Sequence, residues 1–200
     1  MSDPTANAND WTSVGRYGAS PPGVMLAEAT FMAAWNLQGD ASRAPFGAEV
    51  SRLFDLALPT TPNTTARRAP LTALWLGPTS WLIVASEAFA LTDFEAKRDA
   101  LNAAGGALFD VTASSIGWSV GGPRAETVLA KSCPLDFHER AFADGACAQS
   151  VLGHVNALYY RRNTELFTML VARSYARGAW KTLCQSALQY GYDVLPPFAF

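Results

Sequence analysis

Three pairs of short matches recur at nearly one distance along this chain. Trp35-Asn36-Leu37-Gln38-Gly39 matches Trp118-Ser119-Val120-Gly121-Gly122, 83 residues on. Ala73-Leu74-Trp75 matches Ala157-Leu158-Tyr159 at an offset of 84, and Gly105 matches Gly191 at 86. Such a distance is too long for a solenoid repeat and fits a doubled α+β unit. Each half reads as strand, helix, two strands, helix. The expected architecture is a pseudo-duplicated βαββα chain, packed as one compact domain around a mixed or antiparallel sheet. The reading divides it into a flexible N-terminal arm (1–22), a first half (23–107) and a second half (108–200).

Local patterns supply the elements. Val24–Glu28 and Phe31–Leu37 read as strands, and Ala48–Leu58 has apolar residues at helical spacing, stopped by Pro59. The run from 60 to 70, TTPNTTARRAP, reads as a turn-rich loop. Leu71–Leu76 and Trp81–Ala85, joined by Gly77-Pro78-Thr79-Ser80, form a hairpin. Thr92 and Glu95 make a capping box for the next helix, and Gly105-Gly106 close it. Leu108–Val111 begins a strand, and Ile116, Trp118 and Val120 alternate with small or polar residues as in a half-buried strand. Pro123 suits the first position of a helix whose apolar face is Ala125, Val128 and Leu129. Strands follow at 148–153, 155–161 and 166–172. Ser174 is placed to cap a last helix with the stripe Ala176, Trp180, Leu183, Ala187 and Tyr190.

Composition excludes several classes. Half of the residues are hydrophobic and 16% are charged, which describes a folded chain. A net charge of −2 gives no electrostatic footprint for nucleic acid. The N-terminus lacks the basic region and apolar run of a signal peptide, and no apolar run reaches the ~20 residues of a membrane helix. Cys133, Cys147 and Cys184 form no C-x-x-C and are odd in number, which fits a reducing compartment. The expectation is a cytoplasmic protein that binds neither membrane nor nucleic acid.

No catalytic constellation emerges. Cys133, His138, Cys147 and His154 are zinc-ligand types, but their spacing gives neither a close Cys pair nor a close His pair. Cys133 with His138 is a conceivable thiolate–imidazole pair, broken by Pro134. Asp136 with Glu139, and Asp110 with Asp144, are carboxylates at loop ends, where capping is the commoner role. The Gly121-Gly122-Pro123 turn lacks the spacing and the lysine of a phosphate loop. Trp35, Trp75, Trp81, Trp118 and Trp180 fall on strand or helix faces as core or interface residues. The tail VLPPFAF, with Phe31, Trp81 and Tyr160, suggests apolar surface in excess of what one domain covers. It either docks on a partner or folds back on its own core.

The stretch GPRA-x₂-VLAK-x-CPLD-x-H-x₂-AF, from Gly122 to Phe142, with C-x-Q at Cys147, LGHV at Leu152 and RSYA-x₃-W at Arg173, resembles the gamma subunit of heterotetrameric sarcosine oxidase. The hairpin ALWLGPTSWLIVA looks like the same family's tryptophan hairpin. The resemblance covers Leu71 to Gly191 well and the first third loosely. It implies a fold like the folate-binding aminomethyltransferase of the glycine cleavage system. It implies a non-catalytic subunit of an αβγδ complex, in which alpha, beta and delta are the partners and alpha the main contact. Such a complex demethylates sarcosine oxidatively to glycine, giving peroxide and either formaldehyde or methylenetetrahydrofolate. FAD, covalently bound FMN and NAD are then expected on the larger subunits and zinc on delta. No catalytic, cofactor-binding or metal residue is assigned to this chain. The alternatives are the equivalent subunit of a related N-methyl amino acid dehydrogenase and a stand-alone folate-binding transferase. A related iron–sulfur maintenance protein would carry K-G-C-Y-x-G-Q, where this chain has Lys131-Ser132-Cys133-Pro134-Leu135.

Overall fold

A computed structural model describes residues 13–86 and 94–200. Two strands lead in, β1 (Gly15–Tyr17) and β2 (Val24–Thr30). The first unit is β3 (Ala33–Gln38), α1 (Ala44–Phe54), β4 (Thr65–Arg68), β5 (Leu71–Gly77), β6 (Ser80–Ala85), α2 (Phe94–Ala103) and β7 (Ala107–Asp110). The second repeats it as β8 (Ser115–Gly121), α3 (Ala125–Ala130), β9 (Cys147–Leu152), β10 (Val155–Asn163), β11 (Leu166–Ala172), α4 (Ala176–Ala187) and β12 (Tyr192–Val194), with β13 (Phe198–Ala199) last.

The duplication is visible in the strand order. The first sheet runs β4-β5-β6-β3-β7, and the second runs β9-β10-β11-β8-β2-β12-β1 with β13 also on β2. The two orders agree except that β2, carrying β13, is inserted between β8 and β12 and β1 is added beyond β12. Direction is preserved too: β7 is antiparallel to β3, while β12 is parallel to β2, itself antiparallel to β8. Matched glycines end the matched helices, Gly105 at φ 86° and Gly191 at φ 67°, conformations that favour glycine.

Several expectations change. Each unit has more strands than the βαββα pattern, because β4 lies in the stretch read as a turn-rich loop, paired Thr65 to Leu74 and Arg67 to Thr72. The strand β7, read as opening the second half, pairs with Trp35–Gln38 and completes the first sheet. β2, assigned to the first half, hydrogen-bonds in the second sheet. Gly15–Tyr17, within the segment read as a loose arm, is an edge strand in which Arg16 pairs with Asp193 at 2.9 Å. α3 begins at Ala125, two residues beyond Pro123. Ser174 does not cap α4: residues 173–175 form a 3₁₀ turn leading into it, with no side-chain cap. The capping box from Thr92 lies outside the described residues.

Alternation along the strands builds four layers. On the first sheet Trp35, Leu37, Leu71, Ala73, Trp81 and Ile83 face the helices and pack with Phe46, Val50, Leu53 and Phe54 of α1 and Leu101 of α2. The ring of Phe46 lies where a Cβ on Gly106 would have to go, so this close approach needs glycine. On the second sheet Trp118, Val120, Tyr159, Phe167 and Met169 pack with Val128 and Leu129 of α3 and Ala179, Trp180 and Leu183 of α4. The other faces meet. Ala34, Leu74 and Val84 from one sheet and Ala29, Cys147, Leu158, Tyr160 and Leu170 from the other form a third core.

The apolar tail belongs to that third core. Phe200 is 6% exposed, its N–H donates to Thr30 O at 2.7 Å, and its ring stacks on Tyr160 with centroids 5.8 Å apart. Trp81 and Tyr160 are also buried, and Phe31 is half-buried against Phe200. The tail therefore folds back on the chain's own core, and the proposed surplus of apolar surface loses its main members. Phe200→Ala should destabilise the chain by about 3 kcal/mol in urea unfolding, the low end for truncating a buried phenylalanine. An unchanged midpoint would mean that the tail is not part of the core.

Candidate functional site

The strongest polar centre is Arg161 on β10. Val155, Ala157, Tyr159 and Arg161 share the helix-side face of the strand. The guanidinium is fully buried, and Nη1 donates to Phe137 O at 2.7 Å and Phe142 O at 3.2 Å. Nη2 donates to Thr164 O at 2.8 Å. Asp144 lies 3.2 Å from Nε and Glu126 3.0 Å from Nη1. The plane sits 4.9 Å from the Phe167 ring centroid, beside the mutually packed Phe137 and Phe142. A buried charge is tolerated only with such partners. Arg161 thereby fixes the irregular stretch 131–146 onto the second sheet, which is a structural task. The signal in the sequence was its register with Tyr159.

The sequence-nominated ligands do not converge. Cys133 is buried in the helix-side core, with Sγ 3.5 Å from Ser150 Oγ. Cys147 is in the inter-sheet core on the opposite face, its thiol donating to Thr64 O at 3.3 Å and Trp75 O at 3.5 Å. His138 and His154 are exposed in turns, and His138 Nδ1 accepts the N–H of Arg140 at 3.2 Å. Among the described residues, no group of three or more His, Cys, Asp or Glu is placed to hold a metal. The carboxylates are loop caps: Asp136 accepts the N–H of His138 and Asp110 that of Thr112, each at 2.9 Å, while Asp144 serves Arg161 and Glu139 is exposed. Asp110 and Asp144 do not meet.

A cleft of about 660 Å³ opens where the two sheets diverge. Leu76, Leu82, Val111, Leu158 and Leu170 supply its apolar walls, and Asn36, Gln149, Ser150 and Asn156 its polar groups. Two of those polar groups are already engaged. Asn36 Nδ2 donates to Ser80 Oγ at 3.0 Å, and Gln149 Nε2 to Leu76 O at 2.7 Å, tying β9 to β5. Among the described residues the lining has no ionisable side chain, so these walls offer no general acid or base to activate the hydroxyls of Ser114, Ser115 and Ser150.

With that geometry in view, the chain can be set beside known proteins. A family model described as sarcosine oxidase, gamma subunit family, matches residues 38–189. The chain belongs to that family. Sarcosine oxidase subunit gamma from Arthrobacter sp is 30% identical over 157 residues, 76% of this chain and 74% of that protein. The subunit of the same name from Corynebacterium sp. (strain U-96) is 33% identical over 102 residues, 51% of this chain. That match spans about half, 49%, of the Corynebacterium protein. Among solved structures, a chain of heterotetrameric sarcosine oxidase from Corynebacterium sp. U-96, in complex with pyrrole 2-carboxylate, superposes with a TM-score of 0.75 at 24% identity, covering 87% of this chain and 88% of that one. Glycine cleavage system aminomethyltransferase T from Bartonella henselae superposes at 0.55 and 12% identity over 87% of this chain and 48% of its own. Both likenesses carry the fold: a gamma-family chain built as two α+β units, like an aminomethyltransferase, as the resemblance implied.

Burial pushes the Cys147 thiol up to about 11 from an ordinary 9.0. A raised folded-state value contributes stability that is whole below pH 9 and lost as the unfolded thiol ionises between pH 9 and about 11. Urea unfolding should therefore show stability falling across that window, and Cys147→Ala should flatten the fall. An equal slope in the variant would exclude Cys147 as its source.

Proposed function

We propose that this chain is the gamma subunit of a heterotetrameric sarcosine oxidase and that its task is structural. The carrying observation is the family match over residues 38–189, most of the described fold. In this reading the assembly oxidises the N-methyl carbon of sarcosine. Electrons pass to O₂ through flavins on partner subunits, and the products are glycine, hydrogen peroxide, and formaldehyde or methylenetetrahydrofolate. FAD, FMN, NAD and zinc reside on the alpha, beta and delta partners, with alpha the principal contact, and the complex is cytoplasmic. The uncharged cleft supports a scaffold role, since it presents nothing to move a proton. The motif residues support it further. Arg173 holds the carbonyls of Ala113 and Ser115, each at 3.0 Å, and Trp180 packs on Trp118 at 4.8 Å.

Tagged chain purified alone should show no flavin absorbance and no oxidase activity. Co-expressed with the products of the neighbouring genes, it should be recovered in a yellow complex that consumes O₂ with sarcosine. Turnover of sarcosine by the isolated chain, or a flavoprotein complex fully active without it and unable to bind it, would contradict the reading.

A further inference from the structure

The seam between the sheets holds cationic groups to which the scaffold role gives no task. On β4, Ala66 packs into the helix-side core, so Arg67 and Thr65 project from the opposite face toward the second sheet. On β10, Tyr160 and Arg162 alternate with buried Arg161, and Tyr160 belongs to the inter-sheet core. The Thr65 bond to Gly145, whose N–H donates to Arg161 O, sets this end of β4 beside β10, so the two arginines and the tyrosine share the seam side. Burial pushes the Arg162 guanidinium down, and the like charge of Arg67 adds to it. Burial pushes the Tyr160 phenol up while both arginines oppose the shift. Arg162 donates to Ala199 O at 2.9 Å. Among the described residues neither Arg67 nor Arg162 is in an ion pair, whereas Arg68, on the other face of β4, bonds Asp55 at 2.6 Å.

The hydroxyl supplies a second, independent observation. Tyr160 is 2% exposed, and among the described residues its oxygen has no hydrogen-bond partner. Thr65 and Arg67 lie near it but outside hydrogen-bonding geometry, and the Thr65 hydroxyl instead donates to Gly145 O at 2.8 Å. The row across the second sheet continues from Tyr160 through Thr168 to Ser119, whose hydroxyls are also buried without partners. Native folds rarely leave such groups unmatched without a ligand or water to meet them. Arg67 is exposed and Arg162 half-buried, and like charges brought together at such a seam call for an anion. Two planar donors and a phenol O–H suit the oxygens of a carboxylate or phosphate.

We propose that Arg67, Arg162 and Tyr160 form a binding site for an oxyanion at the seam of the two sheets. The oxyanion is either free in solution or an acidic side chain of a partner subunit; the second source rests on the assembly proposed above. Thermal unfolding of the full chain in inorganic phosphate, against chloride at matched ionic strength, tests the first source. A saturable rise in Tm is expected, with apparent affinity at least tenfold weaker in Arg67→Met and Tyr160→Phe and unchanged in Arg52→Met, whose partner Glu49 lies elsewhere. For the second source, phosphate gives no specific rise, but Arg67→Met cuts recovery of co-expressed partner subunits severalfold while Arg52→Met does not. A phosphate response equal to chloride, together with wild-type partner recovery by Arg67→Met, overturns the site. Failure of the wild-type chain to recover partners, with the phosphate response intact, overturns the assembly reading and leaves the site standing.

Discussion

The contact between the two sheets is what makes one structure from two similar units. Each unit buries one sheet face under its own pair of helices. The second faces, carrying Ala34, Leu74 and Val84 on one side and Leu158, Tyr160 and Leu170 on the other, would otherwise be apolar surface in water. Units of this size bury a smaller share of their surface alone than the joined pair does, against the same ordering cost per residue. Covalent and hydrogen-bonded continuity reinforce the contact. β2 leads directly into β3 of the first sheet yet is bonded on both sides within the second. Phe200 at the far end of the chain returns to the same seam.

The sequence was legible where one strand face answered to one core. Trp35 and Trp118 mark equivalent strands because each sits in the helix-side face of its sheet, and the offset between them is the length of the unit. The hairpin 71–85 and the stripe of α4 were equally open to reading. β4 was not, because Thr, Asn and Pro dominate its neighbourhood and its strand state comes from pairing with β5, a tertiary cause. Arg161 was missed since a charged pair, Arg161-Arg162, suggests solvent. The alternation Val155, Ala157, Tyr159 already assigned the first of the two to the core. The tail could not be placed, because apolar residues at a chain end look the same whether they face a partner or their own sheet.

Residues that carry the family resemblance are engaged in holding the chain together: Asp136 caps a turn, Phe142 packs beside Phe137, Arg173 gathers two carbonyls and Trp180 meets Trp118. A motif of this kind specifies a shape. The reactive types it contains are separated by the sheet itself, with Cys133 on one face, Cys147 on the other and both histidines in exposed turns.

Native-state hydrogen exchange under increasing denaturant, read at the amides of β6 and β10, measures directly whether the shared face binds the two units into one. One common free energy of opening, with the same denaturant dependence at both strands, is the predicted result. Two distinct openings, with β6 exchanging while β10 stays protected, would show that the units stand independently and would contradict the account.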